Sequence, residues 1–332
     1  MFFDIFFSKN TSYALGYIVY NKYMIYTVTL NPSLDYHAFT DRFAAGELNR
    51  SNKELLLPGG KGINVATVMK EFGYECTLLG FTAGTTGQEI KRLVSEAGLV
   101  DEMTGLPSGM SRINVKIHAK EETELNGTGP FISSEDLESL MKRIDRINDG
   151  DVLVLSGSIP PSLPDTVYAM ILDRIKGKDI ITAVDATGDL LMNTLPLRPF
   201  VIKPNIEELG ALFGAKIKTR EGCVPYAKKI QEAGAGNVLV SLGKDGAVLL
   251  TEDGRFIFCN APSGSAVNTI GSGDSMLAGF LHGMMEKNDH IYALRTAIAA
   301  GSACAFSEGL AKKELTEALM SSVEPYTFTV PS

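Results

Sequence analysis

Apolar residues recur along this chain in two rhythms. Short runs at 24–30, 77–82, 152–156, 180–185, 201–204 and 238–242 are apolar or β-branched, several of them without alternation, as strands buried on both faces of a parallel sheet should be. Between them the period lengthens to that of a helix. Val65, Val68, Met69 and Phe72 share one helical face, and Leu277, Phe280, Leu281 and Met284 share another, so each of these helices packs one side on the sheet. Gly73 reads as the stop of the first. Strand and helix in turn predict an α/β fold with a mostly parallel central sheet covered by helices. Two stretches, 35–57 and 112–131, break the rhythm as extended segments with polar outer residues. We expect them to pair into a small β-sheet that projects from the main domain as a lid, a dimer surface, or both. No long linker, low-complexity tract or repeat interrupts 24–332, which reads as one domain plus that lid.

Composition narrows the classes. A chain of 332 residues with 45% hydrophobic and 21% charged positions can bury a substantial core and is too apolar for disorder. Its formal net charge is -8 with the cations scattered, so no basic stripe exists to bind nucleic acid. An acidic chain that handles anionic substrates must gather its cations locally, which makes any Lys or Arg beside a glycine turn informative. Cys76, Cys223, Cys259 and Cys304 form no CxxC pair and have no His at zinc-ligand spacing. Such thiols fit a reducing, cytoplasmic compartment. Residues 1–23 are rich in Phe and Tyr, but their uncharged run is too short to span a bilayer and an acid stands at position 4, unlike a secretory signal. They read as an extension ahead of a functional start at Met24.

Four segments carry candidate chemistry. Gly59-Gly60-Lys61-Gly62-Ile63-Asn64 runs into the first helix, where glycines bring backbone N–H groups close to a ligand and the helix N-terminus favours an anion. It is not a P-loop, because Gly62 rather than Ser or Thr follows the lysine, and no GxGxxG fingerprint follows the first strand. Gly271-Ser272-Gly273-Asp274 opens a later helix and can present successive N–H groups to charge developing on a phosphoryl group. Asp274 is then either a plain helix-start acid or a general base that accepts the proton of an attacking hydroxyl. Asn205 and Glu208, three apart after a strand, suit either a capping box or the water shell of a magnesium ion. Ser241-Leu242-Gly243-Lys244-Asp245-Gly246 is a hairpin-like turn at a strand's carboxyl end, where α/β sheets bind ligands.

In order along the chain, TLNPSLD (29–35), GGKGINVA (59–66), SRINVKI (111–117), ETELNGTGP (122–130), LSGSIPP (155–161), KPNIEEL (203–209), SLGKDGA (241–247) and TIGSGDS (269–275) resemble the ribokinase-like sugar kinases of the phosphofructokinase B family, most closely its bacterial 1-phosphofructokinase branch. The resemblance covers essentially everything after Met24. It implies a three-layer ribokinase-like fold and ATP-dependent phosphorylation of fructose 1-phosphate at its 6-hydroxyl, with Mg2+. Asp274 would be the base and Gly271, Ser272 and Gly273 the anion hole; Asn205 and Glu208 would be associated with the metal. Ser241, Leu242, Gly243, Lys244, Asp245, Gly246 and Ser302 would line the ATP site. On the sugar side, Asp35, Gly60 and Asn64 would bind hydroxyls, while Lys61 and Arg112 would grip the phosphate the substrate already carries. The family more often has Gly-Ala-Gly-Asp where this chain has Gly-Ser-Gly-Asp, a change that keeps the backbone donor. Kinases of tagatose 6-phosphate or fructose 6-phosphate share the scaffold, and family members often dimerise through the lid. From other classes, a non-catalytic sugar-phosphate sensor would not need Asp274 or the Asn205/Glu208 pair, and an oxidoreductase lacks its dinucleotide fingerprint.

Overall fold

Residues 23–328 are described in the computed structural model; the expected N-terminal extension lies, apart from Tyr23, outside them. The strands expected from the apolar runs are β1 (Ile25–Thr29), β4 (Cys76–Ala83), β9 (Val152–Ser156), β10 (Ile181–Asp185), β11 (Val201–Ile202) and β12 (Asn237–Ser241). All six pair in parallel, in the order β12-β11-β10-β9-β1-β4. β5 (Val100–Asp101) and β6 (Thr104–Leu106) extend the β4 side, also in parallel. The expected strand at 201–204 stops at Ile202, since Pro204 has no N–H to give a ladder.

Beyond β12 the chain turns back on itself. β13 (Ala247–Leu250), β14 (Phe256–Cys259) and β15 (Tyr326–Phe328) add antiparallel strands beyond the six expected ones.

Side chains alternate along these buried strands, so the sheet supports a core on each face. One face packs α1 (Lys61–Glu71), α2 (Gly84–Glu96), α8 (Ser272–Lys287), α9 (His290–Ala305) and α10 (Lys313–Met320) over residues such as Leu78, Val154 and Leu239. The other packs α3 (Ser134–Ile144), α4 (Val167–Arg174), α5 (Gly188–Met192), α6 (Ile206–Leu212) and α7 (Arg220–Glu232) over Leu79, Leu155 and Val240. Helices on both faces make three layers, as the resemblance to the ribokinase-like kinases implies. Chain order reverses on either side of β1, and the crevice beyond the carboxyl ends of the strands at such a switch point is where α/β sheets hold ligands.

The two extended segments form a separate four-stranded sheet, β3-β2-β7-β8, from β2 (Ser33–Phe39), β3 (Lys53–Gly59), β7 (Arg112–His118) and β8 (Thr123–Asn126). Residues 40–52 and 127–131 are not strand, so each segment is extended over only part of its expected length. Register gives this sheet two unlike faces. Asp35 lies opposite Asn114 and His37 opposite Lys116, whereas Leu56, Tyr36, Val115 and Leu125 form a row on the reverse side.

Candidate active site

Two helix N-termini converge above β1. Gly60 caps α1 at φ 134°, a conformation open to glycine, and a Cβ there would press on Thr29 Cγ2 at 2.7 Å. Gly271 caps α8 at φ 82°, in the left-handed region. In the turn before α8, Ser272 N–H reaches Thr269 O at 3.2 Å. The N–H groups of Gly273 and Asp274 have no helical acceptor by position and point out of the helix end with its partial positive charge.

Asp274, in the first turn of α8, is 6% exposed and accepts a hydrogen bond from Asn64 Nδ2 of α1 at 2.7 Å. A first-turn acid that merely balanced the helix dipole would sit in water. Burial, and then the charge of Asp185, push the Asp274 carboxyl up to about 6, although Asn64, Lys203 and Lys61 pull the other way. Its proton affinity therefore lies near the working range of a general base.

Beneath Asp274 lies an ion triad that sequence reasoning missed. Asp185, at the carboxyl end of β10 and wholly buried, meets Lys61 Nζ at 2.9 Å through Oδ1 and Lys203 Nζ at 3.2 Å through Oδ2. Burial disfavours ionised Asp185, but the two lysines outweigh it and hold the carboxyl below its usual value. Burial likewise disfavours the Lys61 ammonium, and Asp185 holds it above its usual range. Lys61, expected on the substrate's phosphate, thus starts from an ion pair and keeps a third of its side chain exposed. An isolated Asp at the end of a strand belongs to no motif; its position at the carboxyl edge of the sheet is the signal that could have found it.

On the lid, Asp35 accepts from Ser33 Oγ at 2.6 Å and from Asn114 Nδ2 at 3.0 Å, and pairs with Lys116 Nζ at 3.1 Å. Ser33, Asn114 and Lys116 are buried polar partners that the sequence reading did not single out. Arg112 donates from Nε to Asn31 O at 2.9 Å, and burial lowers its pKa despite the opposing charge of Asp35. Asp35, Gly60, Lys61, Asn64 and Arg112 thus come from the lid and α1, with Asn64 tying them to Asp274.

On the other side of α8, Ser241, Gly243, Lys244, Gly246 and Ser302 line a cleft of about 300 Å3 with Ser272 and Gly273. Ala261, Pro262, Met276, Ile298 and Phe306 give it apolar walls fit for a flat base, while Gly273 brings it to the helix end that carries Asp274. Leu242 and Asp245 do not join it. Leu242, at the N-cap of the 3₁₀ turn Gly243–Asp245, and Asp245, at its last position, line a neighbouring cleft with Glu207, Thr219 and Arg220.

Asn205 and Glu208 form a reciprocal capping box on α6: Asn205 Oδ1 accepts from Glu208 N–H at 2.7 Å, and Glu208 Oε2 accepts from Asn205 N–H at 2.8 Å. Among the described residues no three His, Cys, Asp or Glu side chains gather as direct metal ligands. An oxygen-only set near the triad, with Glu208 close enough to raise the Lys61 pKa, still fits magnesium, which keeps its waters and binds through few carboxylates plus substrate phosphates.

Residues 29–317 match the family described as pfkB family carbohydrate kinase. The chain is 42% identical over 301 residues to a 1-phosphofructokinase of Bacillus subtilis, covering 91% of this chain and 99% of that one. It is 36% identical over 289 residues to a D-tagatose-1-phosphate kinase of Bacillus licheniformis, covering 86% and 94%. The solved phosphofructokinase-2 of Escherichia coli in complex with fructose-6-phosphate superposes with a TM-score of 0.83 at 26% identity, covering 90% and 98%. A family match over residues 29–317 and a 42% identical relative covered over nearly its whole length mean that this chain belongs to the pfkB family of carbohydrate kinases.

Proposed function

We propose that this protein transfers the γ-phosphoryl group of ATP to the 6-hydroxyl of a ketohexose 1-phosphate, with fructose 1-phosphate as its substrate and fructose 1,6-bisphosphate and ADP as products. The observation that carries the reading is the position of Asp274, bonded to the sugar side through Asn64 and joined to the nucleotide cleft through Gly273. Two relatives named for sugar 1-phosphates support the choice of acceptor, since a ketohexose phosphorylated at C1 leaves the 6-hydroxyl free.

Asp35, Gly60 and Asn64 orient the sugar, and Lys61 and Arg112 hold its phosphate; the planar fork of Arg112 matches phosphate oxygens. Asp274 accepts the proton of the 6-hydroxyl as oxygen bonds to the γ-phosphorus and the bond to the β-phosphate oxygen breaks. Backbone donors at the start of α8, led by Gly273, meet the charge that spreads over the transferring group. Glu208, oriented by Asn205, would hold a hydrated magnesium ion, which neutralises the nucleotide phosphates when bound. Closure of the β2-β3-β7-β8 lid excludes water and suppresses wasteful ATP hydrolysis. The same lid offers its apolar reverse face to a second copy of the chain. Sugar-phosphate chemistry and four buried free thiols fit a cytoplasmic enzyme, and no helix among the described residues is long and apolar enough to cross a membrane.

A second reading, phosphorylation of tagatose 1-phosphate, is favoured by the 36% identical relative. A coupled ADP-release assay over fructose 1-phosphate, tagatose 1-phosphate, fructose 6-phosphate and tagatose 6-phosphate separates the two. We expect the highest kcat/KM for fructose 1-phosphate; a preference of more than about tenfold for any other of the four overturns the assignment.

A further inference from the structure

Asp185 has an unusual set of neighbours. Its side chain is fully buried, yet it is gripped by two lysines from different parts of the chain: Lys61 at the first position of α1 and Lys203 just beyond β11. The lysines differ in what they face. Lys61 lies on the sugar side with 36% of its side chain exposed, whereas Lys203 is 5% exposed and packs against α8, so that a Cβ on Gly273 would sit 3.1 Å from Lys203 Nζ. Two ammonium groups and two helix ends in one crevice would repel one another. One carboxylate between them reduces the net charge of the triad to that of a single cation and fixes where each ammonium stands.

We propose that Asp185 is a positioning residue that holds Lys203 beside the phosphoryl-transfer end of α8 and Lys61 beside the sugar's phosphate, on the two sides of Asp274. Lys203 then contacts the transferring group and acts mainly on kcat, while Lys61 contacts the phosphate already on the substrate and acts mainly on KM. This inference rests on the phosphotransfer reading above. Failure of that reading would appear as a wild-type protein that turns over none of the four sugar phosphates; failure of the inference appears only in the variants below.

The test is a double-mutant cycle on purified full-length protein, with kcat and KM measured for fructose 1-phosphate at saturating Mg-ATP. Asp185→Asn is expected to lower kcat about 100-fold, the scale of a misplaced catalytic group, and to raise KM about tenfold. In a Lys203→Met background the same Asp185→Asn change should alter kcat less than about threefold, because its route to the reaction is already gone, and should still raise KM. Losses in kcat that multiply in the double variant would overturn the proposal, as would an Asp185→Asn enzyme within about threefold of wild type. Asp185→Asn alone leaves both lysines without their counter-ion and can fail to fold. The double variant removes one cation and one anion, keeps the net charge of the triad, and carries the cycle against Lys203→Met.

A pH profile adds a readout that a purely structural role would not move. Asp274 faces Asp185 from β10, Lys203 from beyond β11, Lys61 and Asn64 from α1, and Cys304 from α9. Removing the Asp185 charge should shift the acidic limb of kcat/KM to lower pH in the double variant relative to Lys203→Met, and an unmoved limb counts against the proposal.

Discussion

At the residue scale, Asp274 carries a conflict between stability and chemistry. Its carboxyl is raised from 3.8 to about 6, first by burial and then by Asp185, so the folded chain binds that proton more tightly than the unfolded chain does. Stability from this group is therefore greatest below pH 3.8, falls as pH rises through the window up to about 6, and stays reduced above it. Asp274→Asn should raise the stability at pH 7.5 by on the order of 2–3 kcal/mol, visible as a higher Tm, and the gain should shrink as pH falls toward 4. With Asp274 as the proposed base, the same shift would set the acid limb of catalysis. Wild-type kcat/KM should fall about tenfold per pH unit below an apparent pKa near 6, and a profile flat down to pH 5 would contradict a base at this position. Asp274 was legible in the sequence because glycines bracket it at a helix start. Asp185 was not, and Lys203 stood in the KPNIEEL run without a role, since their meaning comes from two strands and two helices meeting in space.

At the element scale, the Asn205/Glu208 cap shows how one pair can serve structure and still be available for function. The sequence left a capping box and a magnesium role both open, and the hydrogen bonds of the cap are present. Asn205→Ala should cost about 1 kcal/mol in denaturant unfolding through the lost cap. Glu208→Gln keeps an acceptor for the Asn205 N–H and should leave the unfolding midpoint nearly unchanged, yet raise the Mg2+ concentration needed for half-maximal activity severalfold. An unchanged Mg2+ dependence would reduce the pair to a cap. Apolar runs and helical periodicity marked the parallel strands and the two helices of the site, because burial on both faces leaves a strong imprint. The β12–β13 turn shows the limit of such reading: its sequence does not tell that a 3₁₀ turn puts Leu242 and Asp245 on one side and Gly243 and Lys244 on another.

At the scale of the whole molecule, the lid sheet links the site to association. One face carries the Asp35, Asn114 and Lys116 cluster, while the other exposes Leu56 at 41% and Leu125 at 71% in an apolar row. In the dimer proposed above, this row, on a sheet with two free edges, would be covered by a second copy of the chain. Sedimentation of the wild type should report a dimer, and Leu56→Lys with Leu125→Lys should give a folded monomer; a monomeric wild type would remove the lid face as an interface. The sequence marked both lid segments through their broken rhythm, but only strand register reveals which side chains share a face. The most direct test of Asp274 as the base is a single turnover. Wild-type and Asp274→Asn enzymes would be preloaded with fructose 1-phosphate and mixed with Mg-ATP, and formation of the bisphosphate followed. We predict a rate lower by about 10²–10⁴ in the variant with sugar binding preserved, whereas transfer within about tenfold of wild type would contradict the assignment.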